Sequence, residues 1–299
     1  MYEQGTDVSL LTGLLGRVAC QAVIDAGAER GGFTQAFLDR GAESVFAIEP
    51  FPPNVAALRE RFAAEPRVKI LELALGDRDA TSTLHLIEDR DGQNPSSYHS
   101  LARAGDTALL HTVGELPVAC RTLDSLLAEG ALPPTVGILK IDAEGHDFAI
   151  LRGMGRLSAA VVMVEFWDDL PDAVGRREFA LADVNAFMKA RGFDHCVVVK
   201  RHDEFETIEL DADGTRPGDW GNAIFLHRAA FPQWPPEILA AAAAAHATLI
   251  DKAVFFKTEC GLRLKVIEEQ SKALDAQREL LKPVPVRERI RRVWRPVGV

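Results

Sequence analysis

Short runs of apolar and β-branched residues alternate with amphipathic stretches along the chain from Cys20 onward. The runs have the length of strands, and apolar positions between them recur every three or four residues, as in a helix that packs on one face. This alternation predicts an α/β fold in which a parallel sheet is covered by crossover helices. The predicted strands are 22–25, 44–49, 68–75, 136–142, 161–166, 196–201 and 222–227, and the predicted helices are 34–40, 53–64, 122–129, 147–154 and 178–191.

The alternation changes at the last two predicted strands. Between Arg201 and Asn222 there is no helical pattern, only polar, turn-rich sequence that includes Asp213-Gly214 and Pro217-Gly218. Such a connection is typical of a β-hairpin, so we expect the seventh strand to run antiparallel, inserted at the sheet edge. Seven strands with the last one reversed resemble the Rossmann-like sheet of the class I methyltransferases.

The remaining segments of the chain lie outside this pattern and indicate the domain boundaries. We expect an N-terminal helical segment at residues 1–19, an α/β domain at 20–231 and a long C-terminal helix at 232–281, followed by a basic tail at 282–299. Residues 78–121 are rich in Asp, Ser, Gly and His and are too long for a plain connection, so they predict a lid or a substrate-binding insertion. The C-terminal helix has a weak heptad spacing, which leaves open pairing into a homo-oligomer or packing on its own domain.

Composition narrows the class of protein. The chain has 34 basic and 44 acidic residues, a formal net charge of −10, which argues against a non-specific nucleic-acid binder. Its cysteines, at positions 20, 120, 196 and 260, form no CxxC pair and are expected to be reduced thiols. The first ten residues contain acids and no Lys or Arg, unlike a signal peptide. We therefore expect a cytoplasmic protein.

The C-terminal tail is positively charged, whereas the chain as a whole is negatively charged. Residues 282–299 hold six basic residues and one Glu, and on a helix Val286, Ile290, Val293 and Trp294 would share one apolar face. A basic amphipathic segment with a Trp can lie in the interface of an anionic membrane, which predicts weak contact with the inner membrane face. Docking on an acidic protein surface and plain disorder are the alternatives.

The sequence after the first strand suggests a nucleoside site. Asp25 is followed by Gly27 and by the pair Gly31 and Gly32, so backbone amides can approach a ligand at the start of a helix. The second strand ends in Glu49, and an acid at that position can accept both hydroxyls of a ribose. Together these residues predict an adenosine-containing cofactor at the carboxyl ends of the first two strands.

The spacing of these glycines distinguishes between cofactors. The turn is not GxGxxG, because Ala28, Glu29 and Arg30 separate Gly27 from Gly31. No cradle for a pyrophosphate is indicated, which favours S-adenosylmethionine over a dinucleotide. A nucleotide-dependent oxidoreductase remains the alternative among enzymes. A non-catalytic assembly module that uses the C-terminal helix is the alternative from another class.

A second constellation follows the fourth predicted strand, which delivers Asp142 at its tip. His146, four residues later, could take a proton from an acceptor hydroxyl near neutral pH, or could be a solvated first-turn histidine. Glu165 ends the next strand and could bind acceptor hydroxyls, assist His146 or, with Asp142, ligate Mg²⁺. The metal is an open alternative that we do not favour, because no dense cluster of acids surrounds the two carboxylates. The predicted catalytic residues are Asp142, His146 and Glu165.

These motifs, taken in order, resemble those of the FkbM-family methyltransferases. The resemblance covers residues 20–228 and rests on Asp25-Ala-Gly-Ala-Glu-Arg-Gly31-Gly-Phe-Thr34, Ala47-Ile-Glu49-Pro50 with Asn54, Ala74-Leu-Gly76-Asp77, Thr122-Leu-Asp124 and Leu139-Lys-Ile-Asp142-Ala-Glu144-Gly145-His146. Glu29 and Arg30 depart from the family's usual Asn and aliphatic residue at the methionine end of the cofactor.

The family resemblance implies transfer of a methyl group from S-adenosylmethionine to a hydroxyl oxygen of a sugar, polyketide or lipid-linked glycan. The partner is then a small-molecule or glycan acceptor. The residues it assigns to the cofactor are Asp25, Gly27, Ala28, Gly31, Gly32, Phe33, Thr34, Glu49, Pro50, Asn54, Ala74 and Asp142.

Overall fold

A computed structural model describes residues 5–89, 99–102, 110–168, 179–202, 205–212, 219–248 and residue 272. The helices are α1 (Thr6–Leu15), α2 (Gly32–Asp39), α3 (Pro52–Arg61), α4 (Leu123–Ala128), α5 (Asp147–Arg152) and α6 (Leu181–Ala190), and residues 236–248 are also helical. The strands are β1 (Ala22–Ala26), β2 (Ser44–Ile48), β3 (Val68–Leu71), β4 (Ala74–Leu75), β5 (Ala80–Asp89), β6 (Leu110–Arg121), β7 (Thr135–Ile141), β8 (Ser158–Asp168), β9 (Phe193–His202), β10 (Phe205–Leu210) and β11 (Asp219–His227).

The main sheet confirms the predicted fold class. Its eight described strands have the order β10-β9-β11-β8-β7-β1-β2-β3. Strands β3, β2, β1, β7 and β8 are parallel, and β11 runs antiparallel to both of its neighbours. A mostly parallel sheet with a reversed last strand is the arrangement of the class I methyltransferases. Each of the seven predicted strands has a counterpart in this sheet, the third of them only for residues 68–71.

The position of the reversed strand differs from the prediction. Strand β11 lies between β8 and β9 rather than at the edge, and the edge is formed by β10, which pairs antiparallel with β9. The polar segment that was predicted to be a turn contains β10. An edge strand pairs on one side only and can expose half of its residues, so it lacks the continuous apolar run by which buried strands are recognised.

A second, three-stranded sheet occupies much of the segment predicted as an insertion. Strand β5 pairs antiparallel with β6 along its whole length, and the short β4 pairs parallel with the end of β6. The predicted strand 68–75 is therefore two strands in two sheets. This small sheet has its own apolar cluster of Ala74, Leu84, Val118 and Cys120.

Strand alternation places a core on each face of the main sheet. On one face Leu139 and Val162 pack with residues of α4, α5 and α6. On the other, Ile138 and Val161 pack with Leu11 of α1 and with residues of α2 and α3. Side chains that follow Ile138 at every second position are therefore on the α1 side of the sheet.

The compact unit extends beyond the predicted boundary at residue 231. It comprises Met1–His246, and Ile238 and Ala242 are buried in the core on the α1 side. Residues 247–299 form a second unit, of which residues 247, 248 and 272 are described. The rest of the predicted long helix and the tail lie outside the described residues and stay predictions. Among the helices of the described residues, none combines the length and the apolar character that a membrane span requires.

Candidate active site

A cavity of about 700 Å³ lies at the carboxyl ends of the central strands. Its lining includes the loops after β1, β2 and β7, residues near the ends of β8 and β9, and the first residues of β11, which runs in the opposite direction. Asp25 of β1 lies opposite Lys140 of β7 in the register of the sheet, and both belong to the α1 side. This edge of an open α/β sheet is where ligands bind in folds of this class.

Glycine is required at two positions of the loop after β1. Gly27 has a φ of +73°, and a Cβ there would lie closer than 3.0 Å to the carbonyl oxygen of Asp142. Gly31 has a φ of +82°, caps α2 and would meet the ring of Phe62 in the same way. The amides of Gly27 and Ala28 donate to the carbonyl oxygen of Ile48 at 3.0 and 3.1 Å. The loop is therefore held against the ends of both β2 and β7.

A buried lysine joins the loops after β1 and β7. The Lys140 ammonium lies 3.1 Å from Oδ1 of Asp25 and 3.6 Å from Oδ2 of Asp142, and it donates to the carbonyl of Gly27 at 2.8 Å. Burial by itself would lower the pKa of Lys140, but the two carboxylates outweigh it and hold this pKa above its ordinary value. The Thr34 hydroxyl donates to Oδ2 of Asp25 at 2.7 Å, so the buried carboxylate is bound on both oxygens.

The carboxyl group of Glu49 is fixed at the end of β2. Its Oε2 accepts from the amide of Glu29 and its Oε1 from the amide of Phe51, each at 2.9 Å, and the Asn54 side chain also bonds it. Burial raises the pKa of Glu49 to about 7, although these hydrogen bonds lower it. The two carboxylate oxygens offer about four lone-pair sites and these three bonds occupy three of them, so the group can still accept from a ribose hydroxyl.

The structure separates the predicted cofactor residues into two sets. The residues that line the cavity are Gly27, Ala28, Gly32, Phe33, Glu49, Pro50, Ala74 and Asp142. Asp25, Gly31, Thr34 and Asn54 are outside the cavity lining. Of these, Asp25 and Thr34 bind each other and Lys140, and Asn54 binds Glu49, so their hydrogen bonds support residues of the lining rather than the ligand itself.

Three carboxylates meet at the ends of β7 and β8. Oxygens of Asp142, Glu144 and Glu165 all lie within 4.8 Å of one another. Burial, followed by the charge of Asp142, raises the pKa of Glu144 and of Glu165 well above the ordinary 4.5. The expectation that no dense cluster of acids surrounds Asp142 and Glu165 was wrong, because Glu144 turns into the same space. Such a set of oxygens could hold Mg²⁺ or could share protons among its members.

The turn that positions these acids is shaped by Asp147. Glu144 and Gly145 both have positive φ, at 52° and 93°. The fully buried Asp147 carboxylate accepts from the amides of Ala143 and Gly145 at 3.3 and 3.1 Å, and burial raises its pKa to about 7. The buried carboxylate of Asp147 therefore stabilises this turn through two backbone amides.

His146 lines the same cavity. It is the residue before the first turn of α5, and its Nε2 lies next to Gly76, where a Cβ would be 3.2 Å away. The structure thus brings Asp142 and Glu165 together with Glu144, whereas His146 is placed beside the loop after β4. Its proposed role as a base stays a prediction.

Sequence reasoning overlooked some residues of this site. Lys140 and Glu144 stand inside a motif that was recognised, so the motif itself was the available signal. Asp7 and Asn222 also line the cavity, and they come from opposite ends of the domain. Nothing in the local sequence around either residue indicates that they meet.

The strand order, the glycine turn and the acid at the end of β2 define a class I methyltransferase. The particular family follows from a comparison with family models: the model for the methyltransferase FkbM domain matches residues 25–194. The chain therefore belongs to the FkbM methyltransferase family. Membership in this family favours methyl transfer over the oxidoreductase and the non-catalytic module.

Comparison with curated proteins finds no match. Among solved structures, the methyltransferase FkbM from Methylobacillus flagellatus KT is 16% identical, with a TM-score of 0.41 over 70% of this chain and 44% of that chain. The present chain therefore spans less than half of that protein's length. A precorrin-6y C5,15-methyltransferase from Geobacter metallireducens GS-15 is 12% identical, with a TM-score of 0.38 over 76% of this chain and 92% of that one. The acceptor has to be argued from the site itself.

Proposed function

We propose that this protein is an S-adenosylmethionine-dependent O-methyltransferase that acts on a hydroxyl group of a sugar, a glycan or a related metabolite. The observation that carries the proposal is a single cavity that contains both the fixed carboxyl group of Glu49 and the carboxylates of Asp142, Glu144 and Glu165. The first group suits a ribose, and the second suits a hydroxyl that must lose a proton.

The residues of the cavity fit the cofactor. S-Adenosylmethionine supplies an electrophilic methyl group on a sulfonium. Glu49 would hold the ribose, and the turn from Gly27 to Phe33 would hold the methionine end. Because Gly27 has no Cβ, this turn can lie against the residues that follow β7. Asp142 follows β7 beside that turn, so its carboxylate would face the positive end of the cofactor.

The protein's own chemistry is orientation and proton removal. An acceptor hydroxyl that attacks a methyl group loses its O–H proton, and a nearby base takes that proton. Burial and the charge of Asp142 raise the pKa of Glu165 and of Glu144, so the ionised form of either carboxyl group would be a stronger base than an ordinary carboxylate. His146 is the second proposed proton acceptor, since an imidazole nitrogen can take a proton from a hydroxyl group that lies within hydrogen-bond reach. Exclusion of water and in-line placement provide much of the acceleration.

The cofactor assignment is tested with Glu49→Ala. Loss of hydrogen bonds to a charged group costs roughly 1.5–3 kcal/mol, so affinity for S-adenosylhomocysteine should fall about tenfold to a hundredfold by calorimetric titration. Glu43→Ala is the matched control, because Glu43 is an exposed acid just before the opposite end of β2. Wild-type affinity in Glu49→Ala would overturn the assignment.

A further inference from the structure

Beyond β8, the cavity is lined by a second set of side chains that no step above uses. This set, called the β11 subsite below, consists of Asp7 from α1, Arg201, Glu206, and Trp220 and Asn222 of β11. In the register of the sheet, Asn222 lies directly opposite Glu165 of β8. Directly opposed residues share one face of a sheet, so the β11 subsite continues the row of acids that begins after β7.

The amide of Asn222 is oriented by Asp7. Oδ2 of Asp7 accepts from Nδ2 of Asn222 at 2.6 Å and from a guanidinium nitrogen of Arg201 at 2.6 Å. A carboxylate that faces two donors can only accept, which requires the nitrogen of the Asn222 amide to point towards Asp7 and its oxygen to point elsewhere. Both Asp7 and Asn222 are only 5% exposed, so this geometry is held by packing.

That arrangement leaves one acceptor unused. Oδ1 of Asn222 is buried and has no hydrogen-bond partner among the described residues. A buried carbonyl without a partner is costly, so native proteins usually satisfy it with water or a ligand. Because Asn222 lines the cavity beside Glu165, a ligand O–H or N–H group would complete its hydrogen bonds.

The charges of the β11 subsite restrict which ligand can enter. Arg201 is its one basic side chain, and this guanidinium is bound by Asp7, lies 3.5 Å from Glu206 and covers the Trp220 ring at 5.4 Å. The cation is thus neutralised by two acids of the same subsite. Among the described residues of this subsite, a phosphate or a carboxylate would meet these acids without a free positive charge to compensate.

We propose that Asn222, oriented by Asp7, binds a hydroxyl or amine hydrogen of the methyl acceptor, and that the β11 subsite selects uncharged or amine-bearing polyhydroxylated acceptors over phosphorylated or carboxylated ones. This inference rests on the proposed function and assigns the acceptor end of the same cavity.

The test uses the full chain loaded with S-adenosylhomocysteine and three pyranose probes of different charge. Methyl glucoside, glucosamine and glucose 6-phosphate are titrated, and binding is followed by ligand-observed NMR. The first two should bind at least about tenfold more tightly than the phosphate, as expected when like charges oppose without a counterion. Equal or tighter binding of glucose 6-phosphate overturns the charge selection.

Two variants test the residues. Asn222→Leu should lower the affinity for the uncharged probe about tenfold with unchanged affinity for S-adenosylhomocysteine, since one hydrogen bond is lost. Asp7→Asn should lower it as well, because an amide at position 7 no longer dictates the orientation of Asn222. Asn185→Leu is the matched control, because Asn185 of α6 bonds Ala212 rather than lining the cavity.

Each outcome decides between the two proposals. If S-adenosylhomocysteine binds and none of the probes does, or if Asn222→Leu binds the uncharged probe as well as the wild type, the subsite is wrong and the cofactor assignment stands. If S-adenosylhomocysteine itself does not bind to the wild-type chain, the proposed function fails.

Discussion

At the residue scale, Glu165 shows how the requirements of the site oppose those of stability. Burial and the neighbouring acids raise the pKa of its carboxyl group well above the ordinary 4.5. Between pH 4.5 and its folded pKa, the unfolded chain releases this proton while the folded chain retains it, so stability falls as the pH rises. A group of this kind favours the fold only below pH 4.5 and costs free energy above it.

We therefore expect Glu165→Gln to unfold at a higher temperature than the wild type at pH 8 and at the same temperature near pH 4.5. Each kcal/mol of cost that is removed should raise the melting temperature of the cofactor-free protein by roughly 2–4 °C. Thermal unfolding across this pH range measures the effect, with Glu43→Gln as the exposed control. A variant that is less stable than the wild type at pH 8 would show that Glu165 is held by a compensating charge.

His146 permits a complementary prediction at the same scale. It lines the cavity beside Gly76, and the residues that hold Glu49 are Glu29, Phe51 and Asn54. If its imidazole takes the acceptor proton, His146→Ala should lower turnover by about a hundredfold or more, the usual contribution of a general base, with nearly unchanged affinity for S-adenosylhomocysteine. Turnover that equals the wild type, measured with an acceptor that the wild type methylates, would leave proton removal to the carboxylate cluster.

At the scale of secondary-structure elements, the contact between the loops after β1 and β7 is the feature on which the site depends. A Cβ on Gly27 would overlap the carbonyl oxygen of Asp142. Gly27→Ala should therefore separate the loops, lower the free energy of unfolding by roughly 2 kcal/mol or more and weaken the binding of S-adenosylhomocysteine at least about tenfold.

Gly130→Ala is the matched control for that variant. Gly130 has nearly the same φ, +75°, but no described atom lies within 4 Å of the position that its Cβ would take. Gly130→Ala therefore introduces the backbone strain, which costs roughly 1–2 kcal/mol, but not the clash. Chemical denaturation and calorimetry on both variants separate the two causes, and equal losses in both would mean that the clash has no part.

The elements also show which features a sequence reveals. The central strands could be predicted because both faces of a parallel sheet are buried and these strands are mostly apolar, as in 161–164, Val-Val-Met-Val. Strand β10 could not be predicted in this way, because it lies at the edge of the sheet and polar residues separate its apolar ones. The paired strands β5 and β6 were also missed, since Gly114 and Pro117 interrupt the pattern of β6.

Residues of the candidate site also differ in how far the local sequence reveals them. The positions of Asp25, Gly27, Glu49 and Asp142 could be predicted because each lies at or just after the end of a strand within a local motif, and their contact with the cofactor stays a prediction. The bond between Asp7 and Asn222 joins residues 215 positions apart. It depends on how α1 packs over β11, which no local pattern encodes.

For the whole molecule, the extent of the compact unit determines which part of the chain is needed for the site. The unit includes Ile238 and Ala242, which pack in the core on the α1 side, and Glu237, which forms an ion pair with Arg17 after α1. Because α1 also carries Asp7 to the cavity, the helical residues 236–246 support the helix that orients Asn222. Loss of this segment should therefore affect stability and the β11 subsite together.

We expect a chain that ends at His246 to keep the melting temperature and the S-adenosylhomocysteine affinity of the full chain, because the compact unit is complete there. A chain that ends at Phe231 loses Ile238, which is fully buried, and burial of one such side chain contributes about 1.5–3 kcal/mol. Its melting temperature should fall by roughly 5 °C or more, since each kcal/mol corresponds to about 2–4 °C at this size. Scanning calorimetry on the three chains measures this. If the chain that ends at His246 melts as early as the shorter one, residues beyond 246 stabilise the fold, and the domain boundary that the structure indicates is placed too early.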